Sequence, residues 1–219
     1  MAIFSDEPLL SALESEDLRT LLRLGYPHTF SADERILKQG YASTHVVAVI
    51  SGWTVVRGEA DNGRSVIFGL LGPKDLIGEI AALDGGPRTA TVTALTPVEA
   101  RVINAPDFRG YLERHPRAAA AVTRLLTARL RSADFLSQDM ATLPVLRRLA
   151  RLLLDLAGTD RPAEAVARLT QQEMAAAIGA SREAVAKNLA ALRERGIVRS
   201  VDRRVVVADV RALRAIADL

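Results

Sequence analysis

Cysteine is absent from the 219-residue chain. Its absence excludes a disulfide framework, a zinc site built on thiolates and a cysteine-ligated iron–sulfur cluster, and it fits a reducing compartment. Long apolar runs are absent too. Val46–Ile50 and Ala118–Val122 fall far short of the roughly 18 residues that span a bilayer. The first residues, Met1–Glu7, lack a basic stretch followed by an apolar one, so no secretory signal is expected. Histidine is scarce. His28, His45 and His115 stand apart, without metal or haem-ligand spacing, and read as structural or surface residues. No nucleophile–base set, metal-ligand cluster or pair of catalytic carboxylates can be traced. These absences predict a soluble cytoplasmic protein that is not an enzyme, binds no metal and does not enter a membrane.

What is present suits a globular chain of one large or two small domains: 49% hydrophobic and 25% charged residues. The charge is unevenly spread. From Pro144 onward there are 14 Lys and Arg against 9 Asp and Glu, whereas Met1–Leu143 holds 15 against 17. A basic C-terminal third points to a polyanionic partner.

Hydrophobic periodicity divides the chain into three. A helical stretch over Glu7–Leu24 is followed by short β-branched runs between turn residues, from Tyr26 to about Asn104. This spacing predicts an all-β sandwich or barrel, with Asn62-Gly63 as a hairpin turn. Helix is predicted from about Pro106 to Leu143, with Pro116 in the first turn of its longer segment. Val122, Leu126, Leu130, Ala133, Leu136, Met140 and Leu143 recur at helical steps. A helix this long is hard to bury against a small β domain, so it is expected to pair with a second copy of itself. Pro144 then breaks the helix ahead of a compact C-terminal domain. The predicted boundaries are 1–105, 106–143 and 144–219.

The most specific segment is Leu169–Leu192. Thr170-Gln171-Gln172-Glu173 is a capping box. Met174, Ala175, Ala177 and Ile178 give a short apolar helix, Gly179 suits a tight turn, and Ser181 caps a second helix. On that helix Val185, Leu189 and Leu192 share one face, while Arg182, Glu183 and Lys187 are free to point elsewhere. Two capped helices joined by a short turn form the geometry that enters a major groove. Arginine can donate to guanine O6 and N7, and a carboxylate can accept from cytosine N4. Val198–Ser200 and Arg204–Val207 read as a wing, with Arg203 at its tip for phosphates. A plain helical hairpin with solvated charges would not need all of these parts together.

A second informative segment is Leu76–Ala90. Backbone N–H groups from Gly78, Glu79, Ile80 and Ala81 can face an anion at a helix start. Arg88 can hold a phosphate through its planar fork and Thr89 can add a hydroxyl. Glu79 suits a sugar hydroxyl. On chemistry alone this segment reads equally as a glycine-rich turn followed by a surface arginine.

Gly78-Glu79-Ile80-Ala81 with Arg88-Thr89-Ala90, and Ser181-Arg182-Glu183-Ala184-Val185-Ala186-Lys187 after the long helix, resemble the CRP/FNR family of bacterial transcription regulators. The resemblance extends over nearly the whole chain. It implies an α+β architecture: an N-terminal β-roll of the cyclic-nucleotide-binding, jelly-roll kind, a long dimerisation helix and a C-terminal winged helix-turn-helix. It also implies a homodimer on palindromic double-stranded DNA, contact with RNA polymerase, and control by a cyclic nucleotide, cAMP first. By this resemblance Glu79 accepts from ribose, Arg88 and Thr89 hold the cyclic phosphate, and Arg182, Glu183 and Lys187 read bases. Ala133-Asp134 stand where a hydroxylated pair meets adenine, with Ser132 just before. The carboxylate of Asp134 can accept from guanine or from the adenine amino group. The same fold could respond instead to cGMP, cyclic di-GMP, another ligand or none. Another class is a cyclic-nucleotide-binding module without a DNA function. A cysteine-ligated cluster of the FNR kind is excluded.

Overall fold

The computed structural model describes residues 8–42, 44–59, 65–157, 169–201 and 204–218. Most of the chain up to Arg131 forms one compact unit, and the residues from Ser132 on form the greater part of another.

The first unit begins with a 3-10 turn, Leu9–Ser11, and helix α1, Ser15–Leu24. The single helical stretch expected over Glu7–Leu24 is thus split. Leu9 and Leu10 of the turn and Leu21 of α1 are nevertheless buried in one core. Eight strands follow: β1 (Tyr26–Phe30), β2 (Arg35–Leu37), β3 (His45–Ser51), β4 (Thr54–Glu59), β5 (Ser65–Leu71), β6 (Leu76–Ile77), β7 (Thr91–Ala94) and β8 (Val98–Asn104). A short helix, α2 (Glu79–Asp84), sits between β6 and β7. The strands form two four-stranded sheets, ordered β1-β8-β3-β6 and β2-β7-β4-β5. The Asn62-Gly63 hairpin turn lies outside the described residues.

Why β3 reads as a continuous apolar run, not an alternating one, follows from its place. It lies inside its sheet between β8 and β6. Val47 and Val49 enter the core shared with Ile36, Leu37, Val92 and Ala94 of the other sheet. Val46 and Ala48 face the opposite way, toward Leu21, Phe108, Tyr111 and Ala118. With both faces covered, period-two patterning disappears.

Helix α3 (Ala105–Arg114) and helix α4 (Pro116–Thr142) supply that covering. Pro116 opens α4, where its missing N–H leaves no helical bond unmade. At the junction, the Tyr111 hydroxyl donates to the Asp17 carbonyl at 3.0 Å, and His115 Nδ1 lies 2.8 Å from the Asp17 carboxylate. Burial first, and Asp17 second, push the Tyr111 phenol up to about 12. Val122, expected on a seam between copies, is instead buried in its own unit with Ala118, Ala121 and Leu125. The first turns of α4 therefore belong to the β unit. Further along, Leu130 and Phe135 are 63% and 61% exposed.

In the second unit α4 gives way at Pro144 to α5 (Val145–Leu156). Arg151 Nη1 lies 2.7 and 2.8 Å from the two carboxylate oxygens of buried Asp139, and Arg148 Nη1 donates to the Met140 carbonyl. The end of α4 is thereby tied to α5. Then come α6 (Gln171–Ile178), α7 (Arg182–Glu194), the paired strands β9 (Val198–Val201) and β10 (Arg204–Val207), and α8 (Val210–Asp218). Leu149, Leu152 and Leu153 of α5, Ile178, Leu189 and Leu213 are buried in this unit. Among the described residues no helix is long and apolar enough to cross a membrane, and no group of three or more His, Asp or Glu could hold a metal ion.

Phe108 is fully buried where α3 meets the outer face of β3. Phe108→Ala is expected to cost roughly 3–5 kcal/mol of unfolding free energy in a urea titration. A cost under about 1 kcal/mol would contradict this packing.

Candidate functional site

Gly78 begins the candidate ligand site by ending β6 in a left-handed conformation, φ +83. A Cβ there would lie 2.3 Å from Arg88 Nη1, so glycine is needed both for the turn and for the approach of the guanidinium. Glu79 follows in the first turn of α2. It is 1% exposed, and its carboxylate accepts from Arg129 Nη1 of α4. Arg129 Nη2 donates to the Leu76 carbonyl at 3.2 Å, so one arginine holds both the exit of β6 and the start of α2. At the other end of α2, Arg109 of α3 donates to the Ala82 carbonyl at 2.8 Å.

Arg88 is 4% exposed. Its Nη1 donates to the Gly78 carbonyl at 2.8 Å and its Nη2 to the His45 carbonyl at 2.5 Å. Its backbone is paired in both directions with the preceding loop: Gly40 N–H donates to the Arg88 carbonyl, and Arg88 N–H to the Tyr41 carbonyl. Among the described residues no carboxylate lies within ion-pair distance of the guanidinium. Burial lowers its pKa, and the more distant charge of Glu79 opposes that shift. A buried cation satisfied only by carbonyl dipoles is electrostatically incomplete. Among the described residues two of the five guanidinium N–H groups are engaged in these bonds, which leaves donors for an anion.

The residues singled out from the sequence therefore meet in part. Gly78, Glu79 and Arg88 converge. Ala81 is buried, whereas Ile80 and Thr89 are exposed. Ser132, half-buried, and Asp134, exposed, lie on α4 and belong to the second unit. Sequence reasoning missed Arg129, Arg109 and the His45 carbonyl. Arg129 is one of several arginines on an amphipathic helix, and no local signal marks it as the one that reaches Glu79.

The candidate DNA interface is built by caps. Glu173 N–H donates to the Thr170 hydroxyl at 3.2 Å, and Thr170 N–H donates back to the Glu173 carboxylate at 2.8 Å. Gly179 takes φ +60 to end α6, with Met140 within 3.0 Å of where its Cβ would be. Ala184 N–H donates to Ser181 Oγ at 3.1 Å, which starts α7. Val185, Leu189 and Leu192 bury one face of α7, which leaves Arg182, Glu183 and Lys187 exposed. Glu183 and Lys187 stand one turn apart and share a face. The Glu183 pKa is lowered, first by its own backbone N–H, then by Ser181 and, more weakly, Arg182, so the group is held as an acceptor. Asn188 donates to the Ala184 carbonyl of its own helix. On the wing Arg199 is exposed; Arg203 lies outside the described residues.

Gly78→Ala should destabilise the protein by about 2 kcal/mol more than Gly85→Ala. Both glycines have positive φ, but nothing lies within 4 Å of a Cβ at Gly85. Equal losses in chemical denaturation would show that Arg88 does not press on Gly78.

Two family descriptions match the chain: Cyclic nucleotide-binding domain over residues 27–115, and Crp-like helix-turn-helix domain over residues 147–216. A CRP-like cAMP-activated global transcriptional regulator of Mycobacterium tuberculosis is 30% identical over 92% of each chain. The Cyclic AMP receptor protein of Thermus thermophilus is 31% identical over 96% of each. The solved structure of CLP, the c-di-GMP responsive global regulator of Xanthomonas campestris, superposes with a TM-score of 0.78 at 22% identity, over 89% of this chain and 99% of that one. This last likeness is one of fold. With a β-rich nucleotide-binding domain, a long helix and a winged helix-turn-helix in this order, the chain belongs to the CRP/FNR family of DNA-binding transcription regulators.

Proposed function

We propose that the protein is a homodimeric transcription regulator whose DNA affinity is set by cAMP bound at Gly78, Glu79, Arg88 and Thr89. The observation that carries this reading is Arg88: a guanidinium 4% exposed, bonded to two carbonyls and without a carboxylate partner among the described residues. A cyclic phosphate supplies the missing negative charge, and charge-assisted bonds to it are strong in a dry site. Buried Glu79 is the acceptor for a ribose hydroxyl, in exchange with or beside Arg129. The M. tuberculosis and T. thermophilus relatives, both named for cAMP, support that choice of nucleotide. Ser132 and Asp134 are assigned to base recognition by their hydrogen-bonding chemistry.

Pairing of two copies along α4 accounts for Leu130 and Phe135, large apolar side chains left in water on a long helix. The division into effector domain 1–105, dimer helix 106–143 and DNA-binding domain 144–219 follows from that assignment. Arg182, Glu183 and Lys187 read bases in the major groove, Thr170 and Ser181 lie along the phosphates, and the dimer meets a palindromic site and then RNA polymerase. The nucleotide acts by binding one arrangement of the dimer more tightly than the other.

The test is fluorescence anisotropy on a duplex selected from a random library. Saturating cAMP is expected to strengthen wild-type binding at least tenfold, roughly 1.4 kcal/mol of coupling. Arg182→Ala and Lys187→Ala should each cost roughly 1–3 kcal/mol at the cognate base pair and relax specificity there. Equal affinity with and without cAMP would overturn the proposed control.

A further inference from the structure

His45 is a titratable residue in direct backbone contact with Arg88. It opens β3, and its carbonyl accepts from Arg88 Nη2 at 2.5 Å. Its ring Nδ1 lies 2.9 Å from Thr44 Oγ1, and the residue is only partly exposed. The charged group acting on the ring from the neighbouring elements is Arg88, in the loop before β7. Glu79 on α2 bears on it through Arg88, whose charge it partly offsets. Across the sheet, β8 presents uncharged Asn104, and α3 meets the adjoining residue through the Ala105 N–H to the Thr44 carbonyl. A proton on His45 therefore has a buried guanidinium for company and, among these groups, no acid directly beside it.

We propose that His45 takes up a proton when the phosphate of an anionic ligand settles on Arg88, so that ligand binding tightens as the pH falls. This rests on the assignment of Arg88 as the phosphate site.

Burial first, and the Arg88 charge second, hold the His45 ring below its ordinary value of 6.5 in the free protein. A bound phosphate cancels much of the second effect and adds an attraction of its own, so the ring binds a proton more readily in the complex. Proton uptake on binding means that affinity rises as pH falls through the ring pKa of the complex. The gain levels off below the lower ring pKa of the free protein. One unit of difference between those two values corresponds to about tenfold in affinity.

The experiment is calorimetric titration of the nucleotide-free full chain with cAMP from about pH 8 to about pH 5.5, in pairs of buffers with different ionisation heats. For wild type the affinity is expected to rise about three- to tenfold over that range, with a fraction of a proton taken up per site. His45→Gln keeps the backbone carbonyl and removes the titrating ring, so its profile should be flat and its proton uptake absent. His28 and His115 remain in the variant, so a flat profile there assigns the wild-type uptake to His45. Should the variant not fold, NMR titration of the His45 ring in wild type, free and saturated with cAMP, reads the same quantity; the ring pKa must be higher in the complex. Binding of cAMP with no pH dependence, or uptake that persists in His45→Gln, overturns this inference and leaves the ligand assignment standing. No cAMP binding at any pH overturns both.

Discussion

A positive charge buried with no carboxylate in ion-pair contact among the described residues is the constraint around which the β unit is organised. Arg88 is held by the carbonyls of Gly78 and His45, from two different strand ends, and by backbone pairing with the loop at Gly40 and Tyr41. Each contact fixes something else. Gly78 must be glycine because the guanidinium occupies the space of a side chain. Glu79 is brought to the same place, one residue on, and is answered by Arg129 from the long helix. The cost of desolvating the guanidinium is borne by the rest of the fold. An anion that binds there returns part of that cost as affinity. On the proposed function, stability given up in the free state becomes binding energy in the complex.

The helix-turn-helix of the second unit rests on local bonds. Its caps are satisfied locally: Thr170 with Glu173, Ser181 with the N–H of Ala184, Gly179 in the left-handed turn. Nothing in that geometry waits for a ligand. Val185, Leu189 and Leu192 anchor α7, and its exposed polar positions are ready for a groove. What changes with the nucleotide, on this account, is the arrangement of preformed parts and not their construction. Asp139 and Arg151 tie the last turns of α4 to α5, so the end of the long helix is bonded into the DNA-binding unit.

Much of this was legible in the sequence because it depends on local chemistry. The capping box, the turn glycine and the second cap each occupy a few neighbouring residues, and their bonds form where the residue types predict. The two-sheet β unit was legible from turn spacing. Long-range pairing was not. Arg129 reaches Glu79 across fifty positions, and Arg88 reaches His45 across forty-three. Neither partner carries a local mark: one is an arginine among others on a helix, the other a backbone carbonyl. Val122 was misplaced on a dimer seam for a related reason. Helical periodicity shows which face is apolar but not whether a sheet or a second helix covers it. The broken N-terminal helix has the same origin, since the core that draws in Leu9 and Leu10 is assembled from distant strands.

The central claim is that the uncompensated charge of Arg88 is an anion site for a cyclic nucleotide. Calorimetric titration of nucleotide-free wild type and of Arg88→Met with cAMP, cGMP and cyclic di-GMP tests it most directly. The account predicts saturable binding of cAMP by wild type, and loss of at least about a hundredfold in affinity in the variant, as expected when a charge-assisted contact in a dry site is removed. Undiminished cAMP binding by Arg88→Met, or no binding of any of the three by wild type, would contradict it.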